Sequence, residues 1–172
     1  MASAKQDQDI VIQITRNFET TDVSLSKLEK LAKAVCNRFA SRGTAQARYE
    51  VSIAIVDDNE IRELNSRFLN HQTITDCLSF DLSDDEKSKI FDLVVNGEMA
   101  VRQAGLRGHS SEAELALYIT HGLLHNLGFD DLTPDQARTM HDTEDEILQQ
   151  LGYGFVYNKN VRAQEHESTE NP

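Results

Sequence analysis

This chain of 172 residues is short of cysteine, of long apolar runs and of positive charge. Its two cysteines, Cys36 and Cys77, fall on different expected elements, so a disulfide framework is excluded as the basis of the fold and both read as buried thiols. No apolar run reaches the roughly 18 residues that a membrane helix requires. The opening Met1-Ala2-Ser3-Ala4-Lys5-Gln6-Asp7 also lacks the apolar centre of a signal peptide. The expectation is a soluble, cytoplasmic protein with no membrane partner. Lysine and arginine number 17 against 29 aspartates and glutamates, a formal net charge of −12. That balance argues against indiscriminate nucleic-acid binding, which depends on releasing counterions from many phosphates. A focused contact remains compatible with it. Carboxylates crowd into Asp81 to Asp92 and Asp130 to Glu146, whereas Arg62 and Arg67 lie before the first stretch and Arg102 and Arg107 between the two, and an RNA reader would need those arginines on one wall.

The length suits a single domain with a real core. We expect a loose N-terminus over 1–8, one domain over 9–157 and a disordered tail over 158–172, with the aromatic Tyr153, Phe155 and Tyr157 folding back on the sheet. Ile10, Ile12 and Ile14 alternate as in a strand. Leu28, Leu31, Val35 and Phe39 recur at helical spacing behind a capping box of Ser26 and Glu29, and Gly43 stops that helix. Its Lys27, Lys30 and Lys33 read as a solvated face. Tyr49, Val51, Ile53 and Ile55 alternate again over Arg48 to Val56. Asp57 and Glu60 open a short helix whose Ile61, Leu64 and Phe68 face the core, with Arg67 beside that stripe. Further strands are expected at Thr75 to Leu82 and at Leu93 to Val101, separated by an exposed charged loop, Ser83 to Lys89, and Gly97 marks a bulge in the second of them. Ser111 and Glu114 cap a helix rich in apolar residues. Thr133, Pro134 and Gln136 open a last helix, with Ala137, Met140, Ile147, Leu148 and Leu151 inside and Gly152 at its end. No internal repeat or heptad is present. The fold class is α+β, a small mixed four-stranded sheet packed against helices.

The chemistry gathers in Thr120-His121-Gly122-Leu123-Leu124-His125-Asn126-Leu127-Gly128-Phe129-Asp130-Asp131. His121 and His125 are one helical turn apart, about 6 Å of rise, so both imidazoles leave the same face. Gly128 lets the backbone take positive φ and turn back. That turn can return Asp130 or Asp131 to the histidines and complete an N,N,O site with bonds of roughly 2.0 to 2.2 Å and open positions for water. His141 on the last helix is the rival third ligand.

This stretch resembles the signature of the YbeY family of bacterial metal-dependent endoribonucleases and ribosomal RNA maturation factors, whose pattern runs His-Gly-x-Leu-His-Leu-x-Gly-Tyr-Asp-His. His121, Gly122, Leu124, His125, Gly128 and Asp130 fit it, Phe129 is close to its tyrosine, and Asp131 stands where its third metal-binding histidine would be. An aspartate there is a harder, anionic donor that shifts preference toward oxygen-loving metals. Leu64-Asn65-Ser66-Arg67 followed by Thr75-Asp76-Cys77-Leu78-Ser79-Phe80 resembles a second family signature, Leu-Asn-x-x-Tyr-Arg leading into Thr-Asp-Val-Leu-Ser-Phe, with the arginine displaced. Gly97-Glu98 matches a Gly-Asp pair. The resemblance covers about residues 9 to 152 and implies a zincin-like metal helix and one divalent ion, zinc. It also implies single-strand endoribonuclease activity in ribosomal RNA maturation at the small-subunit 3′ end and in ribosome quality control, with ribosomal RNA and the ribosome as partners alongside possible protein partners.

His121, His125 and Asp131 are therefore the candidate ligands and Arg67 the candidate phosphate clamp, since a planar guanidinium grips phosphate bidentately. Glu98, Asp76 or a second water is the candidate general base. Two other readings compete. Zinc peptidases of the His-Glu-x-x-His type carry a glutamate base where this chain has Gly122. A ribosome-assembly factor could use the metal only to brace its fold, but structural zinc usually closes its coordination with four ligands, often cysteines, and neither cysteine is near the pair.

Overall fold

The alternating and helical patterns fold as read over most of their length. The computed structural model describes residues 9–19, 22–40, 47–154 and 156. Strand β1 spans Ile10–Arg16, helix α1 Leu25–Ala40, β2 Arg48–Val56, α2 Asp58–Leu69, β3 Cys77–Asp81, β4 Ser88–Asn96, α3 Gly97–Arg107, α4 Ser111–Asn126 and α5 Pro134–Gln150. The expected loose N-terminus over 1–8, Gly43, Phe155, Tyr157 and the tail over 158–172 lie outside the described residues.

The sheet runs β1-β2-β4-β3, with β1, β2 and β4 parallel and β3 antiparallel on β4. Parallel neighbours need a crossover, and α1 supplies the one between β1 and β2. The four-stranded mixed sheet and the α+β class are as the patterns implied. One face of the sheet carries the main core, where Ile53, Phe91 and Leu93 meet Leu28, Leu31 and Val35 of α1 and Leu115, Ile119 and Leu123 of α4. The other face carries a small cluster in which Ile61 of α2 packs with Val56 and Leu78. Among the described residues no helix is long and apolar enough to cross a membrane.

The departures from expectation have local causes. The strand expected to run to Val101 ends at Asn96, because the Asn96 Oδ1 accepts the Met99 N–H at 3.0 Å and caps a helix that periodicity alone does not reveal. Gly97 is thus the first residue of α3 and no bulge. A Cβ there would lie 2.8 Å from Ile55 Cγ2 and 2.9 Å from a Phe18 ring carbon. β4 instead begins at Ser88, inside the expected charged loop, and β3 is shorter than the expected Thr75 to Leu82. Two caps shift: Ser24, not Ser26, accepts from Lys27 at the start of α1, and Ser110, not Ser111, accepts from Ala113 at the start of α4. The Asp57 cap and the Thr133–Gln136 capping box stand where they were read. Phe68, expected in the core, is 60% exposed, and Leu151 is also exposed.

Helix α4 is buried along nearly its whole length, and at Gly122 it lies close against the sheet. A Cβ on it would sit 2.7 Å from Cys77 Sγ and 3.0 Å from Leu93 Cδ2. Alanine would gain about 1 kcal/mol of helix propensity over glycine, but overpacking of this kind costs about 1–3 kcal/mol. We expect Gly122→Ala to lower the urea midpoint with an unchanged slope, a net loss of up to about 2 kcal/mol, and Cys77→Ala in the same chain to restore part of it. A neutral Gly122→Ala would mean that α4 does not press on β3 and β4 this closely.

Candidate metal centre

The site grows from the last turn and a half of α4. His121 and His125 leave the same face, and their Nε2 atoms approach to 3.1 Å. Gly128 takes φ +102°, and the turn it permits brings the Asp131 Oδ2 to 3.7 Å from His121 Nε2 and 3.6 Å from His125 Nε2. These three donors lie within 4.8 Å of one another and form a cluster able to hold a metal ion. A tetrahedral site with bonds of about 2.0–2.2 Å has edges of roughly 3.3–3.6 Å, so the donor set fits a small divalent cation with little adjustment. Asp130 goes elsewhere, into a depression shared with Asp135 and Gln136.

Each ring's other nitrogen is committed. His125 Nδ1 donates to the Phe129 carbonyl at 3.2 Å. His121 Nδ1 donates to Glu144 Oε1 at 2.6 Å, and His141 Nδ1 donates to Glu144 Oε2 at 3.1 Å. With both Nδ1 atoms protonated, the Nε2 lone pairs converge on one point, and an approach of 3.1 Å requires positive charge between them, a proton or a metal cation. His141 therefore stacks behind His121, ring centroids 6.4 Å apart, and is not among the clustered donors.

Glu144 is the residue that pattern reading missed. It is fully buried on α5 between Met140 and Leu148, and a carboxylate interrupting an otherwise apolar stripe is the signal that could have found it. Burial opposes its charge, but the hydrogen bonds from His121 and His141 hold its pKa below the usual carboxylate range. Burial likewise opposes a proton on His121; the Glu144 hydrogen bond and the charges of Glu144, Asp76 and Asp131 outweigh it and raise the His121 pKa. A carboxylate behind a metal-facing imidazole fixes its tautomer and raises its basicity.

The histidines open onto a cleft of about 520 Å³ lined also by Leu69, Asp76, Ser79 and Asn126. Asp76 Oδ1 accepts the Cys77 N–H at 2.7 Å and the Thr75 hydroxyl at 3.3 Å, which anchors the carboxylate on the cleft wall. Glu98 is not there: its Oε2 accepts the Asp58 N–H at the start of α2, 3.0 Å away. Arg67 lies outside the cleft, 3.7 Å from Glu63, in a neighbouring groove with Arg62 and Gln72. The four arginines do not share a wall, since Arg102 binds Asp58 at 2.6 and 3.0 Å and Arg107 binds the buried Glu114 at 3.3 Å. Cys36 is buried and its thiol pushed up to about 12; burial and the Asp76 charge also push up the Cys77 thiol. Neither cysteine belongs to the cluster.

A sequence profile of the family described as Endoribonuclease YbeY matches residues 13–152. The chain is 37% identical over 141 residues to an Endoribonuclease YbeY of Carboxydothermus hydrogenoformans, covering 81% of this chain and 96% of that protein. It is 32% identical over 157 residues to one of Shouchella clausii, covering 84% and 98%. The solution structure of TM1509 from Thermotoga maritima superposes with a TM-score of 0.53 at 22% identity, covering 91% of this chain and 95% of that one, which is a likeness of fold.

Metal content of purified variants tests the ligand set: Asp131→Ala is expected to lose the ion and His141→Ala to keep it. Glu144→Gln should weaken metal affinity about 10- to 100-fold, measured by competition with a chromophoric chelator. In chelated protein the raised His121 pKa sets a direction. Its ionic contribution to stability is fully present below about pH 6.5, the unfolded value, and is lost as pH rises through the folded value. NMR titration of the His121 ring should give a midpoint above that of a free imidazole, moved down by Glu144→Gln.

Proposed function

The chain belongs to the Endoribonuclease YbeY family; it is a hydrolytic enzyme that cuts RNA, and from that premise we propose that it does so with one divalent metal ion, zinc, held by His121, His125 and Asp131. The observation that carries the metal reading is the pair of Nε2 atoms 3.1 Å apart, aimed with the Asp131 carboxylate at one point beside an open cleft. Bound there, the cation acts as a Lewis acid toward a phosphoryl oxygen and toward water. His121 and His125 hold it with lone pairs whose direction Glu144 and the Phe129 carbonyl set. Asp76 is our candidate proton acceptor. Its Oδ1 is held by Cys77 and Thr75, which leaves the other oxygen to take a proton inside the cleft. Arg67 is our candidate clamp on a phosphate of the bound strand, being exposed and two residues from Leu69, which lines the cleft.

The substrate we propose is single-stranded ribosomal RNA, in maturation of the small-subunit 3′ end and in ribosome quality control, with the ribosome as partner and the cytoplasm as location. These finer assignments rest on the resemblance of the two signatures. Peptidase chemistry is disfavoured by packing as well as by composition. The place of a peptidase glutamate is Gly122, where even a Cβ meets Cys77 and Leu93. A purely structural metal is disfavoured too, because α4 is buried by its own apolar residues and the ligands are partly exposed to the cleft, whereas structural sites are closed.

Wild-type protein is expected to cut single-stranded RNA, and both His121→Ala and excess chelator to abolish the cutting while the fold persists by circular dichroism. Cleavage that continues undiminished in both would overturn the metal-dependent reading. Asp76→Asn should lower kcat about 10²- to 10⁴-fold with metal content unchanged. Arg67→Lys should weaken cleavage about tenfold, since a point charge does not reproduce the planar fork, again without loss of metal.

A further inference from the structure

An exposed apolar patch lies across the edge strand from the histidines. Phe68 is 60% exposed, Leu69 48% and Leu82, just past β3, 52%, and β3 is an edge strand of the sheet. Alternation along β3 sends Cys77 and Ser79 toward α4, where they line the cleft, and Leu78 and Phe80 toward α2, where they pack with Ile61 and Val56. The Phe68 ring stands edge-on against Phe80, centroids 5.7 Å apart and planes at 64°. Phe80 is itself packed against the small core, and its carbonyl accepts from Asn126 of the cleft at 3.5 Å. One ring is thus fixed and buttresses the other, whose surface is left to solvent. Leu69, the next residue, turns into the cleft, so ring and histidines are joined around the end of α2. Beside Phe68 on α2, Arg62, Glu63, Ser66 and Arg67, with Gln72 beyond the helix, line a groove of about 450 Å³ in which Arg67 lies 3.7 Å from Glu63, an exposed pair that leaves the guanidinium open to solvent.

That sequence of surfaces, arginine groove, aromatic face and metal cleft, matches the repeat of a single RNA strand: phosphate, splayed base, phosphate. Bases of unpaired RNA stack on aromatic side chains with little regard to sequence, and a duplex hides those faces. In a chain of net charge −12, an uncharged contact is also the one that general repulsion of phosphate does not weaken. We propose that Phe68, backed by Phe80, is a stacking platform for an unpaired base of the RNA strand entering the cleft, with Arg62 and Arg67 on the flanking phosphate. This rests on the endoribonuclease reading and adds to it the element that selects single strands.

The test separates binding from cutting. In a His121→Ala background with chelator, so that RNA stays intact, a fluorescent oligouridylate is titrated by anisotropy. Phe68→Ala and Phe68→Leu are both expected to bind about tenfold more weakly, Phe68→Tyr to bind as the parent does, and duplex RNA to show no difference. The chain contains no tryptophan, so in Phe68→Trp the indole emission reports on that position and should be quenched by the oligonucleotide. Parent-like binding by Phe68→Ala, rescue by leucine, or unquenched emission overturns the platform. So does a change of oligomeric state in Phe68→Ala with RNA binding intact, which would assign the patch to a protein contact. If the platform fails while the wild-type protein still cuts RNA, the endoribonuclease reading stands; a wild-type protein that neither binds nor cuts RNA removes both.

Discussion

Glu144 holds the site together. A carboxylate with no solvent contact is costly unless its charge is answered, and breaking a buried pair by removing one partner typically costs about 3–5 kcal/mol. Here both oxygens are answered, by His121 Nδ1 and His141 Nδ1. The two bonds tie α5 to α4, fix the His121 tautomer and point its Nε2 at His125. The second imidazole is set by different means: its Nδ1 meets the Phe129 carbonyl, which the Gly128 turn carries back toward the helix. One buried anion and one left-handed residue therefore aim both lone pairs, and the arrangement exists before any cation arrives, which is the sense in which the site is preorganised.

Gly122 then decides which chemistry can be done there. Because α4 lies against Cys77 and Leu93 at that residue, the helix itself has no room for a side chain between the two histidines on the sheet side, and on the proposed reading the proton acceptor comes from the facing wall of the cleft. β3 provides that wall, and Asp76 just before it carries the carboxylate. The same close packing sets the last turns of α4 against β3 as well as β4, so the cleft lies beside an edge strand of the sheet.

Much of this was legible in local spacing. The His121–His125 interval, the Gly128 turn and the Thr133–Gln136 capping box are each decided within a few residues, and each stands where the pattern put it. What escaped reading was decided at a distance. Asn96 ends β4 by capping α3, although Val94 and Val95 before it and Val101 after it carry strand propensity; a single side-chain acceptor outweighs that weak preference. Ser110 takes the cap that Ser111 could equally have claimed, and Glu114, the box partner expected of Ser111, is held inward by His109 and Arg107. Phe68 sits at core spacing on α2, yet the core on that side of the sheet is small and ends at Leu64 and Phe80. Glu144 became visible as part of the site only when α5 was laid against α4.

Charge makes a further connection between these parts. Asp76, Asp131 and Glu144 all act on His121, and Asp131 also lies 3.6 Å from His125, so carboxylates outnumber the imidazoles at this end of the cleft. Two of the four central arginines are spent on more buried carboxylates, Arg102 on Asp58 and Arg107 on Glu114, and Arg67 shares its charge with the exposed Glu63, so little is left to offset that field. On the proposed reading, RNA meets favourable terms at a few places only: a cation held by the histidines, the groove of Arg62 and Arg67 on α2 and the Phe68 ring that α2 sets against β3. A strand that reaches all of them gains from each, while one that reaches fewer is left facing carboxylates. Selection by such a surface comes as much from what the acidic remainder refuses as from what the site holds, and it explains how an enzyme can act on a polyanion while carrying a large net charge of the same sign.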